Sequence, residues 1–164
     1  MVAIRTNRVV RAPAGAAWAA LVDWPAHGRW VPLTRVHVLT ATGDGVGARF
    51  VGRTGIGPLA FDDPMEVVEW VTPPEPGPSA GERGGRAGGY RCTVVKQGRV
   101  VLGRAWFTVV PVPGGCRVTW AEDVEVAPVR LTRLLTPLIA AAGRAGFARM
   151  LAAMAAEVEA PGAG

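Results

Sequence analysis

Between Val100 and Val126 apolar and polar side chains alternate with a period of two, interrupted at Pro113-Gly114. That period predicts two strands with one face in water. If Val112 and Gly115 flank the turn, Val109 faces Val118, Phe107 faces Trp120 and Ala105 faces Glu122. One face is then nearly all apolar, while Arg104, Thr108, Arg117, Thr119, Asp123 and Glu125 occupy the other. A tight turn at Gln97-Gly98 adds Tyr90 to Lys96 as the first strand of the same meander. Upstream, residues 2–12, Leu33 to Thr40, Gly47 to Thr54 and Phe61 to Val71 also read as strands, with hairpin chemistry at Thr42-Gly43-Asp44-Gly45. Met65, Val67 and Trp70 are the apolar content of the last, and Pro64 predicts an edge position or a bulge.

The period changes to that of a helix in two regions. Pro13 can open a helix, because its missing N–H is not needed in a first turn, and AGAAWAALV over Ala14 to Val22 presents Trp18, Leu21 and Val22. Asp23-Trp24-Pro25 breaks it, and AHGRW predicts a second short helix or turn. Pro128 opens the other region, Val129 to Glu159, which at 1.5 Å per residue would span about 45 Å. Leu131, Leu134, Leu135 and Leu138 form one apolar stripe, and Phe147, Leu151, Met154 and Val158 form a second. Pro137 should kink the helix between them. Gly143 and Gly146 predict a close backbone approach to the sheet or space for a ligand.

Residues 73–89, rich in Pro and Gly, cannot bury enough apolar surface to offset the entropy of ordering them, so a loop joining two strands is expected there. The organisation is then one α+β domain over residues 1–160 with a short tail at 161–164. A chain of 164 residues can bury about 70% of its unfolded surface without metal or disulfide.

The net charge of +5 permits an anionic partner. The arginines are scattered, however, with no basic run, and this argues against nucleic acid. Cys92 and Cys116 should lie about 15–20 Å apart along the meander, beyond disulfide reach. Reduced thiols, an N-terminus without a signal-like apolar run, and no window apolar over eighteen residues lead to the expectation of a soluble, cytoplasmic protein. Nothing bears on oligomeric state.

The segments VRAPAGAAWAALVDWPAHGRWVP (10–32), VGARF (46–50), VVEWVTPP (67–74) and FTVVPVPGGCRVTWAEDVEV (107–126), leading into the long helix, resemble the START and birch-allergen-like (SRPBCC) superfamily. The likeness is greatest to its bacterial polyketide-cyclase/dehydrase and lipid-transport branch. It implies a helix-grip fold, in which a curved seven-stranded antiparallel sheet clasps the C-terminal helix around an apolar cavity.

Few residues could carry chemistry. GDGVG lacks the helix and lysine of a phosphate loop, and Ser79, the only serine, has no partner base. His27 and His37 show no metal-ligand spacing, so neither metal nor cofactor is expected. Glu122 falls on the apolar face, where it could serve as acid, base or ligand anchor, or else sit paired at the cavity rim. His27, between Trp24 and Trp30, could exchange protons near neutral pH or be an exposed loop residue. Tyr90 could donate its hydroxyl to a ligand, and Arg8 or Arg53 could reach an acidic head group; burial and solvation are the alternative readings. Trp30, Phe50, Met65, Trp70, Tyr90, Phe107, Trp120, Phe147 and Leu151 are the expected ligand contacts. The resemblance implies three function classes: a carrier of an apolar small molecule, a polyketide cyclase or dehydratase using one cavity acid–base group, and a protein-interaction module. Several cyclases of the branch it resembles use clusters of tyrosine and arginine in the cavity, and the single tyrosine of this chain departs from that pattern.

Overall fold

Seven strands form one curved antiparallel sheet in the order β1-β7-β6-β5-β4-β3-β2. They are β1 (Val2–Val10), β2 (Thr34–Val38), β3 (Arg49–Thr54), β4 (Phe61–Val71), β5 (Tyr90–Gln97), β6 (Val101–Val112) and β7 (Gly115–Val126). The computed structural model describes residues 1–73 and 88–160. Most of the expected 73–89 loop, and the 161–164 tail, therefore lie outside the described residues. Between β1 and β2 come α1 (Ala14–Val22), a 3-10 turn (Trp24–Ala26) and α2 (His27–Trp30); after β7 come α3 (Val129–Thr132) and α4 (Thr136–Val158).

The β6–β7 register follows the alternation: Val109 pairs with Val118, Phe107 with Trp120 and Ala105 with Glu122. β1 closes the sheet on β7, so the N-terminal strand neighbours the last one. Pro64 does not lie on an edge, since β4 is flanked by β3 and β5. It pairs with Val51 of β3 and stands outside the β5 ladder, which begins at Met65, so its missing N–H costs no bond there. The bulge occurs further on, between Val67 and Glu69. One extra residue shifts the side-chain phase, and for that reason Trp70 can follow Met65 and Val67 on the inner face at a spacing of three.

The C-terminal segment is two helices, not one kinked helix. Residues 133–135 form a turn, and Pro137 opens α4 within its first two positions, where no N–H is required. The second expected stripe is inside: Leu151 and Met154 are fully buried and Phe147 packs against the core. The first is not, as Leu134, Leu135 and Leu138 are exposed. α4 lies against β1, α1 and α2. A Cβ on Gly143 would collide with Ile4, so this glycine permits the close approach to β1, whereas open space surrounds Gly146. Contrary to the sequence expectation, α4 is long and apolar enough by composition to cross a membrane. Alanines produce that property here, in a helix whose inner side is clasped by the sheet.

Candidate functional site

The two ends of the concave face are packed differently. Near α1 the space is filled: Trp18 sits 5.1 Å from Tyr90, 4.9 Å from Trp70 and 5.5 Å from Phe107 between ring centroids. Toward the start of β6 the inner side chains shrink to Gly52, Val94 and Ala105, and a cavity of about 190 Å³ remains. Its aromatic wall includes Phe50 stacked on Trp24 at 4.0 Å, and Phe107 and Phe147 on either side of Trp120 at 5.4 and 5.6 Å.

The charged side chains of that wall come from β4, β5 and β7, the last two separated by β6. Lys96 of β5 donates to Oδ2 of Asp63 on β4 at 2.6 Å, and its Nζ lies 3.5 Å from Oε1 of Glu122 on β7. Trp120 Nε1 also donates to Glu122 Oε1, at 3.4 Å. Asp63 and Glu122 are 8% and 5% exposed, and Oδ1 of Asp63 has no hydrogen-bond partner among the described residues. Burial drives the Glu122 carboxyl above its ordinary range, against the opposing pull of Lys96 and Trp120; nearby Asp63 adds to the rise. Burial also works against the Lys96 charge, but Glu122 and Asp63 outweigh it and hold the ammonium above its usual pKa. Lys96 therefore stays charged, and the Glu122 carboxyl holds its proton more firmly than an exposed glutamate does.

His27 is buried against the cavity, not exposed on a loop. A carbonyl only accepts, so Nε2 must carry the proton donated to Leu21 O at 2.8 Å, which leaves Nδ1 bare. Burial lowers its pKa; the Leu21 bond and Asp23 oppose that, and Lys96 reinforces it. The ring is neutral near pH 7.

Of the residues expected from sequence, Glu122, His27, Phe50, Met65, Phe107, Trp120 and Phe147 line the cavity. Four do not. Trp70 and Tyr90 pack on Trp18 at the filled end, Leu151 is fully buried in the core, and Trp30 donates to Glu157 Oε2 at 2.8 Å. Arg8 is exposed, and Arg53 pairs with Asp62 on the surface at 3.1 Å. Sequence reasoning missed Asp63 and Lys96. Lys96 carried a signal nonetheless: it is the sole lysine among eighteen basic residues, the rest being arginine.

Other chemistry finds little support. Both cysteines are free and buried, and burial, reinforced by Glu69, pushes the Cys92 thiol up to about 12, so it is a poor nucleophile. Among the described residues no group of His, Cys, Asp or Glu gathers as metal ligands.

A family model for polyketide cyclase/dehydrase and lipid transport matches residues 1–159. No curated protein matches the sequence. Among solved structures, a hypothetical protein from Helicobacter pylori superposes with a TM-score of 0.73 at 12% identity, over 96% of this chain and 88% of that one. A START superfamily protein from Mycobacterium smegmatis gives 0.63 at 16%, over 95% and 98%. The Zhui aromatase/cyclase from a Streptomyces species gives 0.61 at 13%, over 96% and 93%. At such identities the likeness is one of fold.

Proposed function

Since the chain belongs to the polyketide cyclase/dehydrase and lipid transport family, we propose that it binds a small apolar molecule in the cavity between sheet and α4. The observation that carries this reading is a hollow lined chiefly by aromatic and aliphatic side chains, with its charged groups gathered on one wall. Preformed ligand sites have that composition. The volume, about 190 Å³, is below the roughly 300–1,000 Å³ of sites for drug-sized ligands. It suits one or two fused rings or a short chain unless the walls open.

The Glu122 cluster favours a second reading, proton transfer to a bound enolisable carbonyl compound, as in cyclisation or dehydration. A desolvated carboxyl held beside a fixed ammonium can give a proton to a carbonyl oxygen or take one from carbon. Free, buried thiols support a reducing, cytoplasmic setting. Native mass spectrometry of protein purified from its own host, followed by organic extraction, tests the leading reading. A near-stoichiometric apolar molecule is expected. An empty protein that retains a macromolecular partner would overturn it in favour of an interaction module.

A further inference from the structure

The titratable groups in the cavity wall are His27, Asp63, Lys96 and Glu122, and among the described residues no arginine lines it. We infer that the cavity selects a neutral ligand bearing a hydroxyl group, an alcohol or phenol on an apolar body, and rejects carboxylic acids. The inference rests on the reading that the cavity takes a small apolar molecule, and it adds which polar head that molecule carries.

The balance of charge comes first. One ammonium stands between two carboxylates, at 2.6 Å from Asp63 and 3.5 Å from Glu122. The cluster is neutral with Glu122 protonated and singly negative with it ionised. In neither state does it offer a free positive charge, and neutral His27 adds none. A carboxylate head would be stripped of water beside Asp63 with no cation left to receive it, a costly arrangement in a dry site.

The balance of hydrogen bonds gives the same answer from a separate observation. One acceptor is not reached: Lys96 and Trp120 contact Asp63 Oδ2 and Glu122 Oε1, and Asp63 Oδ1 is left buried without a donor among the described residues. A buried acceptor in that condition gains from any donor brought to it. A ligand hydroxyl supplies one O–H and can itself accept from Lys96, so it joins the cluster without altering its charge. Lys96 acts as a positioning residue, holding both carboxylates toward one point.

The test is isothermal titration calorimetry at pH 7 with one ring carrying different heads: naphthalene, 2-naphthol, 2-naphthoate and 2-naphthylmethylamine. The expected order places 2-naphthol at least tenfold tighter than naphthalene, with 2-naphthoate weakest. Equal binding of naphthol and naphthalene would overturn the head-group inference while leaving the apolar cavity reading intact. Tighter binding of naphthoate or of the cationic amine would overturn it in favour of an ionic head. If no probe binds, the cavity reading itself falls, and this inference with it. In the Asp63→Asn variant the ratio of naphthol to naphthalene affinity should fall toward one; an unchanged ratio would remove Asp63 from the account.

Discussion

The concave face of the sheet has a filled end and a hollow end, built on the same strands with the same alternation. At the filled end Trp18 is driven by α1 into the gap between Trp70, Tyr90 and Phe107. At the hollow end Trp24 and Phe147 stand in the wall without filling the centre, and Gly52, Val94 and Ala105 leave room that Lys96 and its two carboxylates border. The lesson is that an inward-facing aromatic is not by itself a ligand contact. Its height along the strand decides whether it packs on protein or faces a void. The filled end supplies stability, and the hollow end leaves a cavity at some expense of it.

That division makes its largest prediction for Trp18. Truncation to Ala at the filled end should cost about 3–5 kcal/mol, the usual penalty for emptying a well-packed aromatic site, read as a shift in the urea midpoint. Met65→Ala merely enlarges an existing hollow and should cost about 2 kcal/mol, the low end of the range for such truncations. Equal costs at the two ends would break the comparison.

Next in size is the effect of filling the hollow. Ala105 lies opposite Glu122 in the β6–β7 ladder and lines the cavity. Ala105→Leu should reduce 2-naphthol affinity at least tenfold while changing stability by no more than about 1 kcal/mol, because the added methylenes enter space that is already empty. A large loss of stability would mean that this end is packed as tightly as the other.

Two smaller effects come from pH. The folded-state pKa of Glu122 is raised, chiefly by burial, so its contribution is fully present below the unfolded value and is lost as pH rises through the folded one. Glu122→Gln should flatten that decline. For His27 the folded pKa is lowered by burial, so the unfolded chain binds the proton first and stability falls as pH drops below about 6.5. His27→Asn should remove up to about 1.4 kcal/mol per pH unit of that acid-side slope between pH 5 and 7, measured by urea unfolding. Superimposable profiles for wild type and variant would contradict the buried, neutral imidazole.

How far the sequence revealed this depended on which pairings were local. β6 and β7 are joined by a two-residue turn, so alternation set their register and placed Glu122 beside Ala105. β4 and β5 are separated in sequence by the Pro/Gly-rich stretch, which gives no register, and their ladder contains the bulge at Val67 and Glu69. Asp63 and Lys96 therefore could not be matched to Glu122, although each shares strand parity with inward apolar residues, Met65 and Val94. Trp30, Trp70, Tyr90 and Leu151 were read as ligand contacts because periodicity reports which face a residue takes, not its depth. Leu131, Leu134, Leu135 and Leu138 form one apolar stripe by helical spacing, which does not reveal that the chain turns at 133–135 before α4 begins.

The four methionines allow the most direct test. Met65 and Met150 line the cavity, Met154 is buried in solid packing, and Met1 is exposed. With 13C-methyl-methionine protein and 2-naphthol as titrant, the account predicts that the Met65 and Met150 methyl resonances shift saturably together while Met154 and Met1 stay in place. Shifts confined to Met1 or Met154, or none at Met65 and Met150 under saturating probe, would contradict the claim that the hollow end of the sheet is the binding site.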